Sequence, residues 1–502
     1  MLWWSGATLV GDAVALARVE VQPFGGSLVS ARAFGPSGVP IPLSVSGGLL
    51  LPGRLLEPGE AVTVVVVVAR PAWLGWALGH SRTVRLMLHA PRARLTQRWL
   101  TVASHAALRL RFVEPVAKVS YQVGVRQRVV SAGGRVVSLG VQAPSGTVEV
   151  SSAARRWERP GDPVRVTWFP ASSLPVVLVS PASDQPIAPG APIRLAFSRP
   201  LSEAIGASRP RFSPQVAGSW RASDSHTLVF TPAGFGFPLA SDLHLGFPRE
   251  LSVTVGASAS PARTIDWKVA GASFLRLQQL LATSGYLPLS WTPARAPVAR
   301  QMLAQVDAAV SPPAGSFRWR YPNTPRELQR LWILGRPNQI SRGAVMMVEH
   351  THHLAVDGVA GAQVWHALFV DAIAARTRTG GYSYVYVHRN VPQRLTLWHN
   401  GNTVLTSPGN TGVPAAPTQL GTYPVFEHIP VGTMKGTNPD GSHYNDPGIR
   451  WISYFHGGDA LHSFTRASFG TPQSLGCVEL PLTTAAKVWP YTPIGTLVTI
   501  EN

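Results

Sequence analysis

The chain has 502 residues, with 44 Lys and Arg against 25 Asp and Glu, and it contains one cysteine. This length exceeds a single hydrophobic core and predicts several domains, and one cysteine excludes a disulfide within the chain. The net charge of +19 indicates an anionic partner such as a cell-wall polymer or lipid, or else a genome rich in arginine codons, while the scattered arginines argue against nucleic acid.

The first two regions in chain order contain short apolar runs broken by glycine and proline. Residues 1–92 include Leu16–Val21 and Val62–Ala69, and residues 93–170 include Leu108–Phe112. This pattern predicts many short strands, and we interpret both regions as β-sandwiches, the second of them Ig-like. The run Val62–Ala69 is too short to span a bilayer and is predicted to be a buried strand.

Four tryptophans stand out in the first region, namely Trp3, Trp4, Trp73 and Trp76. They could mark a surface for sugars or lipids, but packing inside the sandwiches is their expected role. The first residues lack the basic start of a signal peptide, and the apolar stretch soon meets Asp12. If the protein is exported, we expect the signal or anchor to be missing from this chain or to lie upstream of the assigned start.

A third β region covers residues 174–268 and opens after a proline-flanked joint. Its segments Phe197–Pro200 and Leu228–Pro232 resemble the bacterial Ig-like domains of surface proteins, in which a Phe-Ser-x-Pro strand end and a Leu-x-Phe-x-Pro strand recur. The resemblance implies an Ig-like domain that acts as a spacer.

The apolar period becomes helical in residues 272–378, where Phe274, Leu277, Leu280 and Leu281 share one face. The segments Leu275–Leu281, Gly285–Pro288 and Val356–Gly361 resemble the helical peptidoglycan-binding domain, with a leucine-rich first helix, a Gly-Tyr turn and an Asp-Gly-x-x-Gly turn. A proline-rich insertion around Trp291–Tyr321 stretches this copy. The resemblance implies a small helical wall-binding module.

A histidine cluster in the same region has the composition of a metal site. His350, His352 and His353 lie between Glu349 and Asp357, so nitrogen and carboxylate ligands are close together. The cluster lacks the His-x₃-His spacing that places two ligands on one face of a helix. We therefore expect a surface or packing role, and the sequence predicts no metal and no other cofactor.

The last region, residues 383–502, is again rich in β signals. Tyr384–His388 and Arg394–Trp398 are predicted strands, and Asn400–Gly401 is typical of a two-residue hairpin turn. The polar, turn-rich stretch Gly432–Gly448 is predicted to be a mobile loop.

The lone cysteine, Cys477, carries the chemistry of this region. A thiol that follows a glycine, with His456 a short loop upstream, is the layout of a nucleophile and its base; a buried structural cysteine is the alternative. His456 can take the thiol proton and return it to a leaving amine. Gly476 lets the backbone approach a substrate, N–H groups around Gly476 and Cys477 could face an oxyanion, and Ser474 is expected to shape the turn.

The spacing also resembles a known catalytic signature. His456, seventeen residues and then Ser474-x-Gly476-Cys477 resemble the L,D-transpeptidase (YkuD-type) signature, and the flanking strands Thr422–Phe426 and Gly495–Ile500 fit the same family. The resemblance implies Cys477 as nucleophile and His456 as general base or acid, with Gly457, Gly476 and Ser474 in support. The whole chain is therefore predicted to be multidomain and mainly β, with Ig-like sandwiches, a small helical module and a C-terminal transpeptidase domain.

The resemblance further implies a substrate and a location. Cys477 would attack the third residue of a peptidoglycan tetrapeptide stem, expel the terminal D-Ala, and pass the acyl group to a second stem as a 3→3 cross-link. Water as acceptor would make the site an L,D-carboxypeptidase, and a degenerate site would leave a wall-binding or structural surface protein. The expected location is the cell envelope of a Gram-positive-type bacterium, with anionic wall polymers as possible further partners and a membrane anchor not visible in this chain.

One residue departs from the family pattern. The signature has a histidine two residues before the cysteine, where this chain has Leu475. His462, in the intervening segment, could partly substitute for that imidazole, although the favoured interpretation is that His462 is merely exposed.

Overall fold

The computed structural model describes residues 6–23, 25–123, 126–255 and 258–502. It confirms a mainly β chain with several sheets and a small helical region. The five domain ranges and the Ig-like assignments stay predictions, and Trp3 and Trp4 lie outside the described residues. No helix in the described part of the chain is long and apolar enough to span a bilayer.

The first region forms two four-stranded sheets, β1-β2-β6-β5 and β4-β3-β7-β8, with one helix. The elements are β1 (Ala7–Gly11), β2 (Ala17–Val21), β3 (Ser27–Phe34), β4 (Pro40–Ile41), β5 (Leu43–Ser46), β6 (Leu49–Pro52), β7 (Ala61–Ala69), α1 (Ala72–Leu78) and β8 (Ser81–His89). Alternate valines of β7, including Val62 and Val64, are fully buried between the sheets with Leu50. The period of two therefore explains why this strand joins the core with one face only.

The second region is a five-stranded sheet in the order β11-β10-β12-β13-β9 around its own core. Its strands are β9 (Trp99–Val102), β10 (Ala107–Val123), β11 (Arg126–Val141), β12 (Gly146–Ala153) and β13 (Val164–Pro170). The pairing of β13 with β9 is parallel, and β10 forms antiparallel pairs with both β11 and β12.

The third region is a seven-stranded sheet with a separate aromatic core that includes Phe197, Phe230 and Trp267. Its elements are β14 (Val176–Ser180), β15 (Ile193–Phe197), α2 (Leu201–Ala204), β16 (Arg211–Ser213), β17 (Gly218–Asp224), β18 (Thr227–Pro232), β19 (Asp242–Val255) and β20 (Ser258–Lys268).

The helical region packs against the last region rather than standing apart from it. Its elements are α3 (Phe274–Thr283), β21 (Leu289–Pro293), α4 (Met302–Val310), β22 (Gly315–Trp319), α5 (Arg326–Arg330), α6 (Gln339–Thr351) and α7 (Ala362–Ala374). Their core continues into Tyr384, Trp398 and Leu497 of the C-terminal region. A Cβ on Gly343 of α6 would collide with the carbonyl oxygen of Gly495, so glycine is what lets the helix approach this closely.

The C-terminal region consists of two sheets, β25-β24-β23-β31-β26 and β27-β28-β29-β30. Its elements are β23 (Ser383–His388), β24 (Arg394–His399), β25 (Asn402–Pro408), β26 (Gly421–Pro424), β27 (Glu427–Thr437), β28 (His443–His456), β29 (Asp459–Ser463), β30 (Val478–Leu480), α8 (Leu482–Val488) and β31 (Leu497–Glu501). Val385, Leu461 and Val478 are among the residues of the core that both sheets share. Asn400 and Gly401 have φ values of 48° and 95°, which a type I′ hairpin turn requires.

Three expectations are corrected. The stretch Gly432–Gly448 is largely the β27–β28 hairpin and not a loop, because ladder pairing from Glu427 to Thr437 satisfies its backbone. His462 lies in β29 and is only 3% exposed. Trp73 and Trp76 do not pack in a core, since their side chains are 59% and 89% exposed at the tip between β7 and β8.

Candidate active site

Cys477 stands immediately before β30, beside the tight turn that joins β28 to β29. Its half-buried Sγ lies 3.6 Å from the carbonyl oxygen of Gly458 in that turn. Burial raises the pKa of the Cys477 thiol to about 12, and the nearby carboxylates of Asp459 and Glu479 act in the same direction, while the N–H of Ala460 opposes them. The resting thiol is therefore protonated at neutral pH and needs a base in order to react.

The turn that presents Cys477 is held by its own side chains. Ser474 is 2% exposed, and its Oγ donates a 2.6 Å hydrogen bond to the carbonyl oxygen of Cys477. Gly476 has a φ of 118°, and a Cβ there would collide with the carboxylate of Asp459. Within the described residues, the N–H groups of Gly476 and Cys477 have no hydrogen-bond acceptor, so both can receive an oxyanion.

The register of two parallel strands decides which side chains share the face of the thiol. Leu461 pairs with Val478, and His462 pairs with Glu479. Leu461 and Val478 point into the shared core, so alternation places His462 and Glu479 on the opposite face. Cys477 precedes Val478 and packs with Ala460 on that opposite face. The same register places Ala460 opposite Cys477, and His462 is two residues further along β29. Strand spacing therefore puts the Cα atoms of His462 and Cys477 about 8 Å apart.

His462 is suited to accept a proton. Its Nδ1 lies 2.9 Å from the carbonyl oxygen of Ser463 and must donate to it, because a carbonyl oxygen can only accept. This fixes the tautomer that leaves the lone pair on Nε2. Burial lowers the pKa of His462, so the imidazole is neutral at neutral pH and can act as a base.

His456 occupies a different position, at the end of β28 before the turn. Its Nδ1 lies 3.5 Å from Oδ2 of Asp459, and its ring packs on Tyr423 with the centroids 4.5 Å apart. Gly457, with a φ of 51°, begins the turn that allows this (i, i+3) contact. Burial raises the pKa of Asp459, while the hydrogen bond from His456 lowers it. His456 is therefore tied to a carboxylate and an aromatic ring, with 42% of its side chain exposed.

The structure thus brings both histidines into the neighbourhood of Cys477 but joins neither to it directly. Among the described residues, the hydrogen bond from the thiol goes to Gly458, and no histidine nitrogen is bonded to Sγ. Of the residues singled out in the sequence, Ser474, Gly476 and Cys477 form one turn, and His456 and Gly457 form the facing turn.

An ion pair fixes the segment between β29 and Cys477. Arg466 binds both carboxylate oxygens of Glu479, through Nε at 2.8 Å and Nη2 at 2.7 Å, and Nη2 also donates to the carbonyl oxygen of Gln473. Asn410, which is fully buried, accepts from the N–H of Gly470. The loop that delivers Cys477 is therefore clamped at both ends, which is the preorganisation that a nucleophile needs.

Two tyrosines of β28, Tyr444 and Tyr454, lie close enough to Cys477 to feel its charge. Tyr454 pairs with Ala460 and so shares the face of Cys477. Burial raises the pKa of both Tyr444 and Tyr454, with a further contribution from Cys477. The β27–β28 hairpin therefore forms one wall of the site.

Comparison with known proteins identifies this region. The YkuD family model, the L,D-transpeptidase catalytic domain, matches residues 383–500. This part of the chain is an L,D-transpeptidase catalytic domain. No curated protein matches the chain.

The solved structures that are similar to this chain are also L,D-transpeptidases, at low sequence identity. The chain is similar to the L,D-transpeptidase from Mycobacterium smegmatis, at 14% identity, covering 66% of this chain and 100% of that chain, with a TM-score of 0.22. It is also similar to the catalytic domain from the E. faecium L,D-transpeptidase, at 23% identity, covering 24% of this chain and 95% of that chain, with a TM-score of 0.22. Scores this low support no further conclusion.

The histidine cluster outside the transpeptidase domain has a partner of its own. His352 Nε2 lies 2.8 Å from Oδ2 of Asp371, which links the end of α6 to α7. Within the described residues, no three His, Cys, Asp or Glu side chains are arranged to hold a metal ion.

Sequence reasoning missed three acidic or basic groups of the transpeptidase domain, namely Asp459, Arg466 and Glu479. Two of them had local signals: Asp459 stands three residues after His456, and Glu479 stands two residues after Cys477. Arg466 had no such signal, because its contact with Glu479 depends on the path of a loop.

Proposed function

We propose that the protein is a cell-wall L,D-transpeptidase that forms 3→3 peptidoglycan cross-links through a Cys477 acyl-enzyme. The observation that carries this proposal is the placement of Cys477 at the entrance of β30 within a matched transpeptidase domain, beside a neutral imidazole and beside N–H groups that have no acceptor among the described residues. The net charge of +19 supports anionic polymers of a Gram-positive-type wall as further partners.

The proposed reaction has two acyl-transfer steps. The thiol of Cys477 gives its proton to a histidine while Sγ bonds to the carbonyl carbon of the third stem residue. The C–N bond then breaks, the histidine returns the proton to the amine of D-Ala, and a thioester remains. The side-chain amine of a second stem attacks the thioester, loses a proton to the histidine, and Cys477 leaves as a thiolate that recovers that proton.

The N–H groups of Gly476 and Cys477 are proposed to hold the oxyanion of each tetrahedral intermediate. Both lack acceptors among the described residues, and the hydrogen bond from Ser474 to Cys477 keeps the turn in one conformation. Such fixed donors cost no reorganisation when negative charge develops.

Two histidines compete for the role of base, and we favour His462 over the sequence prediction of His456. His462 shares the face of the thiol, has its Nδ1 proton committed to Ser463 and keeps its Nε2 lone pair. His456 directs Nδ1 to Asp459 and packs on Tyr423. We assign His456 to the mouth of the site, where its hydrogen bond to Asp459 lowers the pKa of that carboxyl.

Purified muropeptides test the reaction. Full-length protein incubated with disaccharide tetrapeptides should release D-Ala and give a 3→3 dimer by mass spectrometry, and Cys477→Ala should do neither. A trimmed tripeptide without dimer would show the L,D-carboxypeptidase instead. No change in any stem would leave a wall-binding or structural protein, with Leu475 as the marker of a degenerate site.

Paired substitutions test the base. We expect His462→Gln to slow acyl-enzyme formation roughly 100-fold or more, because general bases contribute on that scale. His456→Gln is the matched control in the facing turn, and it should cost less than about tenfold. The opposite order of effects would return the role to His456.

A further inference from the structure

Asp446 of the β27–β28 hairpin is a carboxylate on the same sheet face as Cys477. It pairs with Met434 across the hairpin, and Met434 packs in the cluster that includes Cys477. Directly opposed residues of an antiparallel pair share one face, so the side chain of Asp446 lies on that face as well. Tyr444 is on the same face, two residues earlier on β28 and about 7 Å away. Its pKa is raised by burial, then by Cys477 and then by Asp446.

The charge of Asp446 reaches the residues beside the thiol. Hydrogen bonding to Glu479 raises the pKa of Arg466, and Asp446 adds to this increase. Burial lowers the pKa of His462, and Asp446 is one of the groups that oppose this decrease. Asp446 therefore lies within electrostatic range of the proposed base and of the ion pair that holds the loop before Cys477.

No protein group neutralises Asp446 in the part of the chain that the structure describes. Asp446 is half-buried, and among those residues it has neither a hydrogen bond nor an ion pair. The two other carboxylates beside the thiol do have partners, since Asp459 contacts His456 and Glu479 binds Arg466. A partly desolvated carboxylate without a partner costs free energy, which a cationic ligand would recover.

A second carboxylate on this face, Glu427, provides a comparison. Glu427 pairs with Tyr454, and among the described residues it likewise has no hydrogen bond or ion pair. It is exposed, so water can solvate it. Its charge adds to the effects of burial and of Cys477 on the pKa of Tyr454, but it is not among the groups that act on His462. Asp446 is therefore the better candidate for a ligand beside the thiol.

The proposed donor stem carries a cation that fits this place. Donor and acceptor stems are alike, so the third residue of the donor has the same side-chain amine that the second stem uses as nucleophile. At neutral pH this amine is an ammonium. Met434 and Ile449 belong to the apolar cluster of this face and can pack against the carbon chain of that residue. The carboxylate of Asp446 can accept hydrogen bonds from the ammonium.

The donor fits Asp446 better than the acceptor does. The amine of the second stem must be neutral in order to attack the thioester, and a neighbouring carboxylate would keep that amine protonated. The amine of the donor takes no part in bond formation and can remain an ammonium throughout the reaction.

We infer that Asp446 binds the side-chain ammonium of the third residue of the donor stem and so selects stems with a diamino acid at that position. The inference rests on the proposed function, because the donor stem is the substrate proposed above. Asp446 has no role in proton transfer and acts on specificity alone.

Two donors that differ only in the side-chain amine test this inference. One is the tetrapeptide stem with the free amine, and the other is the same stem with that amine acetylated. Mass spectrometry of the intact full-length protein follows the acyl-enzyme at Cys477. At low donor concentration, the free-amine stem should acylate the unaltered chain roughly tenfold faster than the acetylated stem, because hydrogen bonds to charged groups contribute on that scale. Asp446→Asn should react with both donors at the slower rate.

Asp440→Asn is the matched control in the same hairpin. Asp440 is exposed, and its carboxylate already accepts from the N–H and the Oγ of Ser442. This variant should keep the preference of the unaltered chain for the free amine. An equal loss of rate with both donors in Asp446→Asn would overturn the inference. So would a loss of the preference in Glu427→Gln but not in Asp446→Asn. Normal acylation of Asp446→Asn with fewer 3→3 dimers would assign the carboxylate to the acceptor stem instead.

Binding without turnover separates this inference from the proposed reaction. By calorimetry, Cys477→Ala should bind the free-amine stem roughly tenfold more tightly than the acetylated stem. The double variant Cys477→Ala, Asp446→Asn should bind both stems equally. Absence of an acyl-enzyme in the unaltered chain would refute the proposed function, whereas the binding comparison would still decide the role of Asp446.

Discussion

Two halves of the active site differ in how they are held, although both adjoin the same thiol. The strand half consists of His462 and Glu479 on β29 and β30, which are 3% and 4% exposed and clamped through Arg466. The turn half consists of His456 and Asp459, in which the histidine side chain is 42% exposed. The buried half therefore holds the proposed base, His462, in a fixed position, and the exposed half sets the charge beside the thiol.

The largest effect should come from the glycine where the two halves touch. In Gly476→Ala, the new Cβ meets the carboxylate of Asp459 and the φ of 118° becomes strained. Because a small displacement of a nucleophile is costly, we expect transpeptidation to fall about 100-fold. The measurement is the rate of D-Ala release from the tetrapeptide.

Gly441→Ala is the matched control for backbone strain. Gly441 has a φ of 86° but open space around its Cβ, and it lies in the hairpin loop. Its substitution should leave the rate within about twofold. If both variants lost activity equally, strain in general and not the contact with Asp459 would be responsible.

The second prediction distinguishes a role of Glu479 in positioning the loop that carries Cys477 from a role in stability alone. Glu479→Gln leaves Arg466 without its carboxylate partner, and removal of one member of a largely buried pair should lower the free energy of unfolding by about 2 kcal/mol. We also expect kcat to fall roughly tenfold at an unchanged KM, because the loop that delivers Cys477 loses its clamp. Thermal unfolding and steady-state kinetics measure the two effects.

A surface pair provides the control for Glu479. Glu149 and Arg165 also form an ion pair, but their side chains are 55% and 44% exposed. Glu149→Gln should therefore change the free energy of unfolding by less than about 0.5 kcal/mol and leave kcat unaltered. A raised KM with a normal kcat in Glu479→Gln would contradict the positioning role.

The two halves were not equally visible in the sequence. Local sequence spacing was enough to predict that Ser474, Gly476 and Cys477 act together, because one turn of four consecutive residues contains all three. The strand face on which His462 lies could not be predicted in this way. It follows from the parallel register between β29 and β30, and that register depends on the loop between the two strands. The burial of His462 was missed for the same reason.

The same limit explains the errors elsewhere in the chain. Polar composition favoured a loop at Gly432–Gly448, but the ladder between β27 and β28 satisfies the backbone whatever the side chains are. Apolar composition favoured a core for Trp73 and Trp76, but their position at the end of a hairpin keeps them out of it. Strand period and turn residues were sufficient where structure is local, as in β7 and at Asn400.

The smallest expected effect is on the reactivity of Cys477, and it comes from the charge of Asp459 in the turn half. The carboxylate of Asp459 contributes to the raised pKa of Cys477, because a negative neighbour disfavours the thiolate. Asp459→Asn removes that charge, so the pKa of Cys477 should fall and the thiolate fraction at a given pH should rise. We expect iodoacetamide to alkylate Cys477 roughly threefold faster at pH 8.

The effect of Asp459→Asn on the alkylation rate should depend on pH. Burial raises the pKa of Asp459, so at low pH the wild-type carboxyl is itself protonated and neutral. The alkylation rates of Asp459→Asn and of the unaltered chain should then converge as the pH falls through that pKa, and separate above it. Asp440→Asn, in the exposed hairpin loop, should match the unaltered chain throughout. Slower alkylation in Asp459→Asn would mean that Asp459 acts mainly by orienting His456, and the turn half would then be a positioning device like the strand half.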